Sequence, residues 1–282
     1  MKGSFFMSFQ IVRARGAAYL VSNLLTSPHA FATRLGGVST LPHTASLNLA
    51  FGRGDEREVV LENLARFGAA AGFDPDSVVS VPQIHGSLVF EVDARHRGMG
   101  YRRAAEFEGD GYVTADPAVT VGVKTADCTP ILLEAAVDGA VVAVSALHAG
   151  WKGAVADIAG EGVRKLTALA RRTAGDPSAE VVIRAAIGPC IHPCCFEVKE
   201  DCLAVVRASL GEDLAAEVIH REGEKTFLDL PAINHALLLR AGVAEKDVDV
   251  CRLCTACRTD LFYSHRASGG VRGTLLSVVR VG

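Results

Sequence analysis

The stretch Lys124–Gly153, KTADCTPILLEAAVDGAVVAVSALHAGWKG, constrains the fold more than any other part of the chain. It holds two apolar runs separated by Val137-Asp138-Gly139. Asp-Gly between apolar runs is a strong short-range hairpin signal, because both central turn positions need positive φ. Cys128 stands where the first run begins and His148 where the second ends. An antiparallel hairpin brings those two ends together, so Cys128 and His148 are expected to meet at its open end.

The remaining elements alternate between strand-like and helix-like patterns. Ala30–Arg34, Ser46–Phe51, Ser77–Val81 and Ser87–Asp93 read as strands. So do Val181–Ile187, Val248–Cys251 and Leu275–Val281. Asp55 and Glu58 have capping-box spacing before a helix that runs to Gly72, in which Asn63 reads as a solvated polar residue. Residues 94–105 are basic and read as an exposed loop. One helix is expected over Ala154–Arg172, and others at 199–209 and 229–241. Asp229 is placed to cap the last of these, with Pro231 in its first turn. Two prolines make 188–198 irregular. Gly36-Gly37-Val38-Ser39 is a turn whose backbone donors either face an anion or merely punctuate the chain; the plainer reading is favoured. No repeat, linker or composition shift divides the 282 residues, so a single α+β domain over 1–282 is expected, with 1–28 as a peripheral segment.

Composition excludes several functions. A net charge of −3 gives no field for nucleic acid or an anionic membrane. No apolar run reaches the ~18 residues of a membrane helix. The N-terminus has no signal-peptide pattern, which points to the cytoplasm, and the eight cysteines then read as thiols and ligands before disulfides.

His85, Cys128 and His148 each border an apolar run next to small residues. One Cys and two His match the three-ligand count of a catalytic zinc site, whose fourth position stays open. The same residues also read as a buried thiol and core histidines. Cys128 has a further reading as a nucleophile with His148 or His85 as its base. Asp127 is a candidate acid or base, or only a turn cap. Cys251, Cys254 and Cys257 have the spacing of a metal-cluster run and need a fourth ligand. Cys190, Cys194 or Cys195 could supply it, though structural thiols are the simpler reading.

Taken together, the motifs resemble the YfiH-type, or laccase-domain, family. They are TRLGGVS at 33–39, SLNLAFGRGD at 46–55, QIHG at 83–86, DGYVT at 110–114 and KTADCTPILL at 124–133. LHAGWKG at 147–153, IGPCIHPCCFEV at 187–198 and CTACRTDLFYSHRASGG at 254–270 complete the set. Members of this family have been labelled polyphenol oxidase, peptidoglycan editing factor and purine nucleoside phosphorylase. The resemblance implies an α/β/β/α arrangement, with helices outside two mixed sheets. It implies zinc on His85, Cys128 and His148. It also implies phosphorolysis of purine nucleosides, with adenosine deamination and methylthioadenosine phosphorolysis. The substrates are then a purine nucleoside and phosphate, and Arg34 is assigned to phosphate. Leu64 departs from the family's usual Arg, His192 from a usual Gly, and Val271-Arg272 from a usual Gly-Arg pair.

Rival readings are a copper polyphenol oxidase, a cysteine hydrolase or amidase of cell-wall precursors, and a non-catalytic partner with structural zinc. Copper ranks low because the nine histidines are scattered, with no His-x-His pair.

Overall fold

The computed structural model describes residues 8–282. Two six-stranded mixed sheets face each other, and helices cover their outer faces. The first sheet opens with β1 (Phe9–Ala14), β2 (Ala17–Ser22) and β3 (His29–Ala32). Helix α1 (Arg57–Ala71) follows, then β4 (Val78–Val79). The second sheet begins with β5 (Val89–Glu91) and β6 (Gly111–Thr114). β7 (Thr120–Thr125) returns to the first sheet. β8 (Thr129–Val137) and β9 (Ala140–Ala149) form the central hairpin of the second sheet.

Helices α2 (Trp151–Val155) and α3 (Ile158–Ala174) lead to β10 (Val182–Ile187). Then come α4 (Glu200–Leu210), α5 (Glu212–Val218) and a small hairpin of β11 (Ile219–Glu222) and β12 (Lys225–Leu228). Helix α6 (Leu230–Arg240), β13 (Val248–Val250) and β14 (Leu275–Arg280) complete the chain. The strand orders are β1-β2-β3-β14-β7-β4 and β13-β10-β8-β9-β6-β5. The expected α/β/β/α layering is therefore present.

Strand β8 shows why its apolar run is unbroken. Ile131, Leu133 and Ala135 point into the core shared with α3 and α6. Leu132, between them, points into the core between the sheets, beside Phe31, Val121, Val144 and Ala186. A strand buried on both faces has no polar side to show. At its far end Asp138 (φ +51°) and Gly139 (φ +81°) take the two left-handed positions expected of the turn. Asp229 caps α6 by accepting from the Ala232 N–H at 3.0 Å.

Several local expectations fail for non-local reasons. Residues 9–22 are a hairpin at the edge of the first sheet, with Leu20 buried in the intersheet core; only 1–7 of the segment expected to be peripheral lie outside the described residues. Ser46–Phe51 forms no strand. The helix expected over 154–172 is two helices, broken where Asp157 takes φ +58° and caps α3. The 94–105 loop buries Met99 and Tyr101. Asp55 does not cap α1; its carboxylate accepts from Ser39 Oγ at 2.6 Å, Thr44 Oγ1 at 2.8 Å and Asn48 Nδ2 at 2.9 Å. Asn63 is fully buried. Its amide accepts from the Val38 N–H at 2.8 Å and donates to Ser39 Oγ and the Asn48 carbonyl, both at 2.9 Å. The Gly36–Ser39 donors are spent on Ser46 and Asn63, leaving none for an anion. No helix among the described residues is long and apolar enough to cross a membrane.

Candidate metal centre

The chain crosses from the first sheet to the second through Ala126-Asp127-Cys128, between β7 and β8. Asp127 makes the crossing at φ +92°. Its carboxylate accepts from Thr255 Oγ1 at 2.6 Å, Ser264 Oγ at 3.0 Å and the Arg266 N–H at 2.7 Å. Those bonds hold the turn and occupy the group expected as an acid or base. Cys128 follows at the mouth of the hairpin, where β9 ends with His148 opposite Pro130.

His85 reaches the same point from the segment between β4 and β5. Gln83 anchors that segment to β7, donating to the Lys124 carbonyl at 2.8 Å and accepting from its N–H at 2.7 Å. Ligand-capable atoms of His85, Cys128 and His148 lie within 4.8 Å of one another. The two imidazole rings meet edge-on at 83°, with centroids 4.9 Å apart.

Asp110, which the sequence offers only as a turn residue between two glycines, organises this trio. One carboxylate oxygen accepts from the His85 N–H at 2.9 Å and from His148 Nδ1 at 2.8 Å. The other accepts from the N–H groups of Gly86 at 2.8 Å and Ile84 at 3.3 Å. With Nδ1 donating to Asp110, His148 keeps Nε2 for the centre. This is the outer-shell arrangement that orients metal-bound histidines. Gly150 supplies the clearance: a Cβ there would lie 3.0 Å from Cys128 Sγ and 3.3 Å from His85 Cδ2.

The charges support one another. Burial pushes the Cys128 thiol up, but His148 and His85 outweigh it and bring its pKa down to about 6. Burial pushes His148 down, while the Cys128 thiolate and Asp110 bring it up to about 9. Burial also raises the Asp110 carboxyl; hydrogen bonds from His148, Gly86 and His85 bring it below its ordinary value. Two imidazoles and a polarised thiolate, with a fixed tautomer and an open side, suit a borderline-soft divalent ion.

The trio opens into a cavity of about 650 Å³, within the range of small-ligand sites. Its lining is also cationic, with Arg53, Arg57, Lys124 and Arg272. Nε of Arg53 and Nε of Arg272 are buried and have no hydrogen-bond partner. Burial, and then the neighbouring Arg53, lower Arg272 to about 10. Burial lowers Lys124 to about 8; its ammonium donates to the Ser80 carbonyl at 2.9 Å and lies 5.3 Å from the Tyr101 ring centroid.

Arg34, the residue assigned to phosphate, is elsewhere. It lines a neighbouring cleft that shares Arg272 with this cavity, stacks 4.7 Å from the Tyr263 centroid and spends its donors on the carbonyls of Ala45 and Thr259. Sequence reading missed Arg53 because its neighbours Gly52 and Gly54 look like turn punctuation. It noted Arg272 only as a departure from a motif.

Comparison with known proteins places the chain in a family. Residues 28–282 match the family described as multi-copper polyphenol oxidoreductase laccase. The chain belongs to that family. A purine nucleoside phosphorylase of Deinococcus radiodurans is 40% identical over 268 residues, covering 94% of each chain. The adenosine deaminase RL5, from an unknown prokaryotic organism, is 31% identical over 85% of this chain and 88% of its own. The crystal structure of Bacillus licheniformis YfiH superposes with a TM-score of 0.85 at 28% identity, covering 98% of this chain and 100% of that one. The YfiH-type resemblance therefore holds, and the chain is a member of an enzyme family.

Proposed function

We propose that this chain is a zinc-dependent purine nucleoside phosphorylase that also deaminates adenosine and phosphorolyses methylthioadenosine, working as one catalytic domain. The observation that carries this reading is the pairing of the His85, Cys128 and His148 trio with Arg53 and Arg272 in one cavity, two half-buried arginines whose Nε atoms have no hydrogen-bond partner. Neutral ligands leave Arg53 and Arg272 repelling each other; a phosphate dianion satisfies both. The relatives named for nucleoside phosphorolysis and adenosine deamination make a nucleoside the natural second occupant.

In phosphorolysis a phosphate oxygen forms a bond to ribose C1′. The C1′–N9 bond breaks, and the purine leaves with that electron pair and gains a proton. Arg53 and Arg272 hold the phosphate against C1′, so two reactants meet as one complex. Arg57 and Lys124 add positive charge to that lining. His85, Cys128 and His148 hold the ion, and Asp110 keeps His148 in the ligating tautomer. A bound zinc ion supplies Lewis acidity to water or to a heteroatom of the base. In deamination, water adds at C6 of adenine and ammonia leaves.

One thiolate with two imidazoles and an open position is a donor set of catalytic zinc sites; copper takes the same three donors with a weak axial ligand, and metal analysis separates the two. The deciding assay is turnover of inosine and adenosine by metal-analysed protein, with and without phosphate. Inosine should give hypoxanthine and ribose 1-phosphate only when phosphate is present. Adenosine should give inosine without it. No turnover by zinc-loaded protein, or turnover that survives Cys128→Ala, sinks the reading.

A further inference from the structure

A second group of metal-capable side chains lies outside this cavity. Cys254 and Cys257 meet Cys194 and Cys195, and all four sulfurs fall within 4.8 Å of one another. Cys194 Sγ is 3.6 Å from Cys257 Sγ, and Cys195 Sγ is 3.4 Å from it. We propose that Cys194, Cys195, Cys254 and Cys257 bind one structural zinc ion as a tetrathiolate.

Sulfur spacing selects the occupant. Zinc–sulfur bonds of about 2.3 Å in a tetrahedron put the sulfurs about 3.8 Å apart. The separations of 3.4 and 3.6 Å to Cys257 need only a small outward adjustment, and all six lie within 4.8 Å. A disulfide requires about 2.05 Å and uses two thiols, not four. An iron–sulfur cluster stands between its thiolates and holds them farther apart than a single ion does. Cys251 and Cys190, the other cysteines of these two segments, are buried and stand outside the group. The ligands are therefore two pairs, Cys194-Cys195 and Cys254-x2-Cys257.

The surroundings suit a dianionic centre. The His192 N–H points at Cys254 Sγ from 3.5 Å. The guanidinium of Arg266 donates to the carbonyls of Cys195 at 3.0 Å and Glu197 at 2.9 Å, placing a fixed positive charge beside the thiolates. Cys194 and Cys257 are exposed, which gives the ion an entry path. On binding, the four thiols release four protons to solvent and four sulfur–zinc bonds form.

The ion would join two segments without regular structure, 188–198 and 251–266. Between them the chain provides a bridge at Cys190 and Cys254 and a Thr255 N–H bond to the Cys190 carbonyl at 2.9 Å. Both segments grip Asp127: Ile191 N–H donates to its carbonyl at 2.9 Å, and Thr255 donates to its carboxylate. The zinc therefore braces the turn that presents Cys128, without lining the cavity.

The test is zinc content per chain in full-length protein purified with a non-thiol reductant from zinc-supplemented cultures. Cys128→Ala disables the cavity centre, so zinc that remains must lie elsewhere. That variant should retain one equivalent, and adding Cys257→Ser at an exposed position should remove it. Cobalt exchanged into Cys128→Ala protein should give strong sulfur-to-cobalt charge-transfer absorption, lost with Cys254→Ser/Cys257→Ser. Circular dichroism of the Cys257→Ser protein confirms that the fold survives. A Cys128→Ala protein without zinc that takes up no cobalt overturns the proposal. So does an intact mass lower by two hydrogens, locating a disulfide among these residues. Neither result depends on whether the cavity centre binds metal or turns over nucleosides.

Discussion

Replacing Asp110 by Asn tests whether the trio is held by one carboxylate. Asp110 accepts four hydrogen bonds, two on each oxygen. Asn has one acceptor oxygen and an NH2 group, so one pair of donors must face another donor. With NH2 toward His148, the ring can pair only through a bare Nδ1; its proton moves to Nε2 and blocks ligation. With NH2 toward the loop, the N–H groups of Gly86 and Ile84 are left unpaired beside it. Each buried donor left without a partner costs roughly 1–3 kcal/mol. Two of them, with the 3.3 Å bond counted low, suggest about 3 kcal/mol. At roughly 2–4 °C per kcal/mol, Tm of the metal-free protein should fall by about 6–12 °C. Zinc affinity should fall roughly 10–100-fold, the usual effect of losing an outer-shell partner. Differential scanning calorimetry and competition with a chromogenic chelator measure the two effects. Unchanged Tm together with zinc affinity within threefold of wild type refutes the role given to Asp110.

Arg53→Ala and Arg272→Ala should each raise KM for phosphate roughly 10–100-fold, the loss of one charge-assisted hydrogen bond at about 1.5–3 kcal/mol. Steady-state kinetics should show phosphate-free adenosine deamination within about threefold of wild type, and Arg34→Ala should leave phosphate KM unchanged. In metal-free protein, the pH profile of Cys128 alkylation should have its midpoint near 6 and move upward in His148→Ala. The stability that accompanies this low thiol pKa is complete above about 9.0 and lost as pH falls through about 6. His148 runs the opposite way: its contribution is complete below about 6.5 and lost as pH rises through about 9. Asn63→Leu should cost about 2–4 kcal/mol in urea unfolding, because the Val38 N–H and the Asn48 carbonyl lose their buried partner.

Features written in local chemistry were legible in the sequence. The β8–β9 hairpin followed from apolar runs and an Asp-Gly turn, and the capped α6 from Asp229 and Pro231. The meeting of Cys128 with His148 then followed from strand geometry alone. His85 entered through its place beside a strand edge and through the family motif. Features set by distant partners were hidden. Asp110 looks like a turn residue between glycines; its four hydrogen bonds reach two separate segments. Asn63 looks like an exposed helix position until the loop at 36–39 folds onto it. Asp55 has capping spacing, but three side-chain donors compete for it and win. The Cys254 and Cys257 spacing was visible, whereas Cys194 and Cys195 could be matched to them only after the chain had folded.

Strand β14 lies between β3 and β7, yet it is the last of the described strands to leave the ribosome. Without it, β1-β2-β3 and β7-β4 have no strand to join them. Arg272 and Thr274, which line the cavity, immediately precede it. Placing β14 therefore closes the sheet and brings in Arg272, the arginine proposed to hold phosphate. The hairpin with Cys128 and His148 lies well before Arg272 in the sequence. The proposed reaction thus needs the strand that completes the fold.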